Sequence, residues 1–141
     1  MMLYLDTSAL IKRYVDEDGS GRVNELWDGA TGIATSVVAF AEMIAALNRK
    51  LREGVLSARE YSRTAASFKG DYRRIILVPV SAGLNERIEK LARKHALRGF
   101  DAIHLASALV IRNNGKVEMG FACYDRALNE AALNEGFPAI L

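Results

Sequence analysis

A three-layer α/β domain, built on a central and mostly parallel sheet of four to five strands, is the fold class this sequence predicts. Three observations predict it. Short apolar runs alternate with helical patterns along the whole 141-residue chain, the signature of crossover connections and a parallel sheet. Hydrophobic residues make up 50% of the chain and charged residues 26%, the balance of a globular protein able to bury a core. Ile75–Val80 is an almost continuous apolar, β-branched run, as expected of a strand covered on both faces. Neither an internal repeat nor a linker interrupts residues 1–141, so one domain is expected.

The elements follow in order. Met2–Leu5 is an apolar strand that stops at Asp6-Thr7-Ser8. A helix over Ala9–Val15 follows, then a loop over Asp16–Gly21 and a short helix over Arg22–Trp27. Gly32–Thr35 is the second strand, and Ser36 caps a helix from Val37 to about Arg52 that Gly54 ends. Ser57 and Glu60 have capping-box spacing and open a helix to about Lys69. Ile75–Val80 is the third strand, and Ser81 caps a helix to His95. A helix from Asp101 to Arg112 stops at Asn113-Asn114-Gly115. Val117–Cys123 is the fourth strand, Asp125 caps a helix to Asn134, and Ala139–Leu141 is expected as a short last strand.

Several classes are excluded. The longest apolar stretch, Val37–Leu47, is broken by Glu42 and falls short of the roughly 20 residues a membrane span needs. Asp6 stands where a secretion signal would be apolar. Cys123 is the only cysteine, so no internal disulfide forms, and a cytoplasmic location is expected. It has no sequence-local base and reads as a buried strand residue rather than a nucleophile.

The acids fall in a pattern. Ligands of an open parallel sheet bind beyond the carboxyl ends of the strands. Asp6 ends the first strand, Asp125 follows the fourth, Asp101 opens a helix, and Glu42 lies about two turns into the helix after Ser36. Asp6, Asp101 and Asp125 are also in good positions to act simply as N-caps. Glu42 is harder to place, because its neighbours Val37–Leu47 are otherwise apolar and an unpaired buried carboxylate is costly. Four acids converging at one end of the sheet would repel one another unless a divalent cation joined them. Oxygen-only ligands suit Mg²⁺ or Mn²⁺ rather than zinc, and the hydroxyls of Thr7 and Ser8 could add ligands or hydrogen bonds to them. Such a pocket suits phosphodiester hydrolysis. Setting the four acids aside takes the net charge from +2 to +6, so the acidic pocket is expected in a basic surround, as a nuclease requires.

Four segments, Leu3–Ile11, Ser36–Glu42, Gly99–Ala108 and Cys123–Ala132, together resemble the PIN domain and in particular the VapC-type toxins. They occur in the family's order and span essentially the whole chain. The resemblance implies a metal-dependent ribonuclease with Asp6, Glu42, Asp101 and Asp125 around Mg²⁺ or Mn²⁺. It also implies a homodimer, and a small antitoxin protein whose tail fills the groove. One position departs from the pattern: many relatives carry Ser or Thr where this chain has Cys123. A thiol is a poorer hydrogen-bond partner, so the surroundings of Asp125 are expected to be looser.

His104 follows Asp101 by three residues on the same helix face and could donate a hydrogen bond into the pocket or touch substrate phosphate. His95 is expected in solvent near a helix end. Arg98 could touch the RNA backbone, and Lys12 and Arg13 could line the groove for RNA or antitoxin, with a solvated face as the alternative. Asp16–Gly21 imitates the start of a calcium loop, but its twelfth position is Trp27, which rules that out. A receiver-like domain would need an acid ending the third strand, where Val78-Pro79-Val80 stands. A flap-type DNA nuclease would be larger. A non-catalytic PIN-fold module binding RNA or protein is the remaining rival, although it would be expected to have lost one of the acids.

Overall fold

The computed structural model describes residues 1–141. Strand β1 is Met2–Leu5, and helix α1 (Thr7–Leu10) runs into a 3-10 turn at Ile11–Arg13. Helix α2 (Ser20–Gly29), strand β2 (Ile33–Ser36), helix α3 (Val38–Arg52) and helix α4 (Ala58–Tyr72) follow. Then come strand β3 (Ile76–Val78), helix α5 (Ala82–His95), helix α6 (Gly99–Gly115), strand β4 (Met119–Ala122) and helix α7 (Arg126–Asn134).

The four strands form one sheet in the order β3-β2-β1-β4, and every pairing is parallel. β1 lies in the middle, with Tyr4 in register with Ala34 on one side and with Phe121 on the other. The chain builds outward from β1 through β2 to β3, then crosses back to place β4 on the opposite side. The strand order therefore reverses at β1, and the crevice of such a sheet opens beyond the carboxyl ends of β1 and β4.

Alternation along β1 divides the core into two layers. Leu3 and Leu5 pack with Leu10, with Ala39, Met43 and Leu47 of α3, and with Phe68 of α4. The spacing of the three α3 residues is that of a single helical stripe. Tyr4 points to the other face, among Leu84 and Leu91 of α5, Leu105 and Leu109 of α6, Phe121, and Leu128 of α7. Helices thus cover both faces, as a parallel sheet demands.

The expected elements are all present except one. Ala139–Leu141 forms no strand, so the sheet has four strands rather than five. After Gly136, whose φ of 88° only glycine adopts freely, Phe137 enters the core and Ile140 lies against Gly120 of β4. A Cβ on Gly120 would meet the Ile140 side chain at 2.9 Å, so the tail packs by side chain rather than by backbone pairing. β3 is shorter than Ile75–Val80 because Pro79 has no N–H to offer a ladder. The capping box forms as expected: Ser57 Oγ accepts from Glu60 N at 3.1 Å, and Glu60 Oε1 accepts from Ser57 N at 3.0 Å. The Ser81 side chain makes no cap bond. Ser36 acts one residue early, its Oγ accepting from Val38 N at 3.3 Å.

Candidate active site

Asp6 is carried one residue past β1, and its N–H donates to Ala122 O at 3.1 Å, extending the β1–β4 pairing to the edge of the crevice. It caps α1: Oδ1 accepts from Ala9 N at 3.0 Å and from Ser8 Oγ at 2.7 Å. The Ser8 hydroxyl also accepts from Tyr124 N at 2.9 Å. Ser8 therefore ties Asp6 to the loop that carries Asp125. Asp6 is only 5% exposed. Burial pushes its carboxyl above the ordinary 3.8, and the nearby Asp101 adds to that, against the electrostatic attraction of His104 and the bonds from Ser8 and Ala9.

Glu42 reaches the same end of the sheet from the second turn of α3. Its Oε1 accepts from Thr7 Oγ1 at 2.8 Å and bonds His104 Nε2 at 2.7 Å. Half-burial raises its carboxyl, but His104, by hydrogen bond and electrostatic attraction, together with the bond from Thr7, outweighs burial and holds it below 4.5. The apolar surroundings that made Glu42 conspicuous in the sequence are thus relieved by two donors. His104 itself is buried on α6, and Tyr4 OH lies 2.9 Å from its Nδ1.

Asp101 does not cap its helix, contrary to expectation. α6 begins two residues earlier, Arg98 occupies the cap position, and Asp101 sits in the first turn, where its charge still complements the helix dipole. Burial, then the charge of Asp125, raises its carboxyl above 3.8, with Arg98 opposing. Asp125 does cap α7, through Leu128 N at 2.9 Å. Arg98 bridges the two, its Nε 3.5 Å from Asp101 Oδ2 and a terminal nitrogen 3.5 Å from Asp125 Oδ2. An open cavity of about 540 Å³ adjoins them, lined by Glu42, Arg98, Gly99, Phe100, Asp101 and Ile103.

All four acids predicted from the sequence therefore meet at one rim, close enough for Asp101 to act electrostatically on Asp6 and Asp125 on Asp101. Three of their oxygens, Asp6 Oδ2, Glu42 Oε2 and Asp101 Oδ1, receive no N–H or O–H bond. Asp125 Oδ2 meets only the guanidinium of Arg98. This oxygen-only set could hold a hard divalent cation. The side chains as they stand do not draw three ligands together around one point. Like charges separate, and Arg98, 83% exposed in its side chain, supplies the positive charge between Asp101 and Asp125. The donor chemistry fits a cation, whereas the spacing requires side-chain rotations to close on one.

A PIN domain family profile matches residues 3–131. The chain belongs to the PIN domain family. Ribonuclease VapC45 of Mycobacterium tuberculosis (strain CDC 1551 / Oshkosh) is 35% identical over 131 residues, covering 93% of this chain and 89% of that protein. The VapC-type resemblance seen in the sequence is thereby borne out. Among solved structures, M. tuberculosis VapC20, described as a sarcin-ricin-loop-cleaving toxin, superposes with a TM-score of 0.66 at 21% identity, over 96% of each chain. VapBC2 from Rickettsia felis, solved bound to a promoter DNA fragment, superposes with a TM-score of 0.56 at 12% identity, over 87% of this chain and 100% of that one. Both share the PIN fold.

Other expectations resolve differently. His95 is not in solvent: its ring is packed away, with Nε2 2.7 Å from Glu135 Oε1, which also binds Lys94. Lys12 Nζ is engaged by Glu17 and by Asp18 O, and lies over the Tyr124 ring at 4.5 Å. Arg13 pairs with Asn24 and Asp28. Neither is a free cation facing the acids. Cys123 is buried, as expected, and its thiol, which burial pushes up, donates to Asp125 O at 3.2 Å. Tyr4 is the site residue that sequence reasoning missed. The available signal was a tyrosine in a fully buried strand, whose hydroxyl must find a partner inside.

No helix is long and apolar enough to cross a membrane.

Proposed function

We propose that this PIN domain is the toxin of a VapBC-type toxin–antitoxin pair, a Mg²⁺- or Mn²⁺-dependent endoribonuclease whose site is Asp6, Glu42, Asp101 and Asp125. The observation that carries this is the convergence of the four acids beyond β1 and β4, with oxygens left free of donors. The 35% identity to a named VapC ribonuclease supports RNA as the substrate. The likeness to a VapBC assembly supports an antitoxin partner. The family resemblance supports a homodimer, and the single cysteine accords with action in the cytoplasm.

Asp6, Glu42, Asp101 and Asp125 would hold a divalent cation, which when bound would supply Lewis-acid polarisation of a phosphate and a water of lowered pKa. The chain's own residues hold the arrangement. Asp6 is fixed by Ala9 N and Ser8, and Glu42 by Thr7 and His104. Arg98, exposed beside Asp101 and Asp125, is the cation offered to the RNA backbone. Neither His nor Lys is needed as a general base.

The test is incubation of antitoxin-free protein with total cellular RNA in Mg²⁺, Mn²⁺ or EDTA, beside an Asp6→Asn variant. Discrete cleavage that needs both metal and Asp6 is expected. RNA binding without cleavage in every arm would identify a binding module instead.

A further inference from the structure

Beneath the acid rim lies a chain of buried polar groups that the reaction itself does not touch. Tyr4 and His104 are 0% and 2% exposed, yet no buried side-chain polar atom in the protein lacks a partner. The order of bonds runs from Tyr4 OH to His104 Nδ1 at 2.9 Å, and from His104 Nε2 to Glu42 Oε1 at 2.7 Å. Thr7 Oγ1 donates to the same Oε1 at 2.8 Å.

Donor accounting orients this chain. An ionised carboxylate only accepts, so His104 must present Nε2–H to Glu42. With the proton on Nδ1 alone, a nitrogen lone pair would face a carboxylate oxygen at 2.7 Å. The group facing Nδ1 is the Tyr4 hydroxyl, which can accept from or donate to that nitrogen and so holds the ring in either case. The hydroxyls of Thr35 and Ser107, the other polar groups beside the phenol, give their protons to Leu5 O and Ile103 O, each at 2.7 Å. Neither hydroxyl can supply Nδ1 in place of Tyr4 while it makes that bond.

We propose, resting on the metal-site function above, that Tyr4 is a positioning residue: its hydroxyl holds the His104 ring with Nε2–H aimed at Glu42, so that His104 and Thr7 occupy Glu42 Oε1 and leave Oε2 as the oxygen free for a divalent cation. Glu42 then serves as a one-oxygen ligand of fixed orientation. Partners that orient a ligand from behind typically change metal affinity 10–100-fold when removed. Tyr4 is well placed for the task, because its ring is clamped by stacking on Phe121 at 5.3 Å, and a Phe at position 4 keeps that clamp.

The experiment uses ¹⁵N-labelled full-length protein. The chain has two histidines, so long-range ¹H–¹⁵N spectra hold two imidazoles, and His104→Gln assigns them. Wild-type His104 is expected to carry a proton on Nε2. Mn²⁺ titration of Tyr4→Phe is expected to give affinity about 10-fold weaker than wild type. In a His104→Gln background the further Tyr4→Phe change should cost nothing, since Tyr4 acts through the imidazole. A ring with its proton on Nδ1 alone in the wild type overturns the proposal. So does unchanged Mn²⁺ affinity in Tyr4→Phe, or an equal loss with and without His104. Failure of the wild type to bind Mn²⁺ would instead overthrow the metal-site function, and the relay's role with it.

Discussion

Replacing Asp6 by Asn should make the protein more stable without metal and less stable with it. The structure supplies the reason. Asn keeps an oxygen at the Oδ1 position, so the bonds from Ala9 N at 3.0 Å and Ser8 Oγ at 2.7 Å survive, and Asn caps helices as well as Asp. What disappears is a charge that burial and the Asp101 carboxylate both disfavour. In its place an amide offers two donors near other carboxylates. Relieving functional strain of this kind typically adds about 0.5–2 kcal/mol, or roughly 2–8 °C in melting temperature for a chain of this size. Because the folded pKa of Asp6 is raised, the folded state holds its proton more tightly than the unfolded chain does. The destabilisation is therefore absent below the ordinary 3.8 and complete above the raised value, so the gap between variant and wild type should close as pH falls through that window. Adding Mn²⁺ to about 100 times its Kd should stabilise the wild type by about 2.7 kcal/mol and the variant far less, reversing the order. Thermal melts in EDTA and in Mn²⁺, read by circular dichroism, make the comparison. A variant that melts below wild type in EDTA, or that gains as much from Mn²⁺, would refute the reasoning.

Arg98→Ala should barely change stability, within about 0.5 kcal/mol, because an ion pair this exposed contributes little. It should raise KM for RNA and lower the slope of affinity against salt by about one counterion; an unchanged salt slope would remove Arg98 from the RNA path. Ser57→Ala breaks the capping box of α4, far from the acids, and should cost about 1 kcal/mol in denaturant melts while leaving cleavage per folded molecule unaltered. Cys123, buried with its thiol pushed up, should resist iodoacetamide at pH 8 in the native protein and react once unfolded; rapid native alkylation, followed by mass spectrometry, would contradict its placement.

The alternation of apolar runs and helical patterns was enough to read the parallel three-layer fold, because strands buried on both faces advertise themselves by unbroken hydrophobicity. Ile75–Val80 did so, although the ladder stops at Val78 for want of an N–H on Pro79. Ala139–Leu141 misled, since three apolar residues read alike whether they pair as a strand or, like Ile140, cover a glycine. At the site, Asp6 and Asp125 were visible from their places after strands, and Glu42 from its misfit among apolar neighbours. Asp101 was placed correctly at the rim but in the wrong local role, because its helix starts at Gly99 without a side-chain cap to mark it. The links Tyr4–His104 and Ser8–Tyr124 join residues 100 and 116 positions apart, and no local pattern encodes such pairings.

The most direct test of the central claim is a panel of Asp6→Asn, Glu42→Gln, Asp101→Asn and Asp125→Asn, each assayed against RNA over a Mn²⁺ titration. Four acids acting as one metal centre predict that every variant loses at least about 100-fold in cleavage rate and shows weakened Mn²⁺ binding. If any one of them cleaves RNA at the wild-type rate with wild-type metal affinity, that residue is not part of the centre and the assignment of the site is wrong.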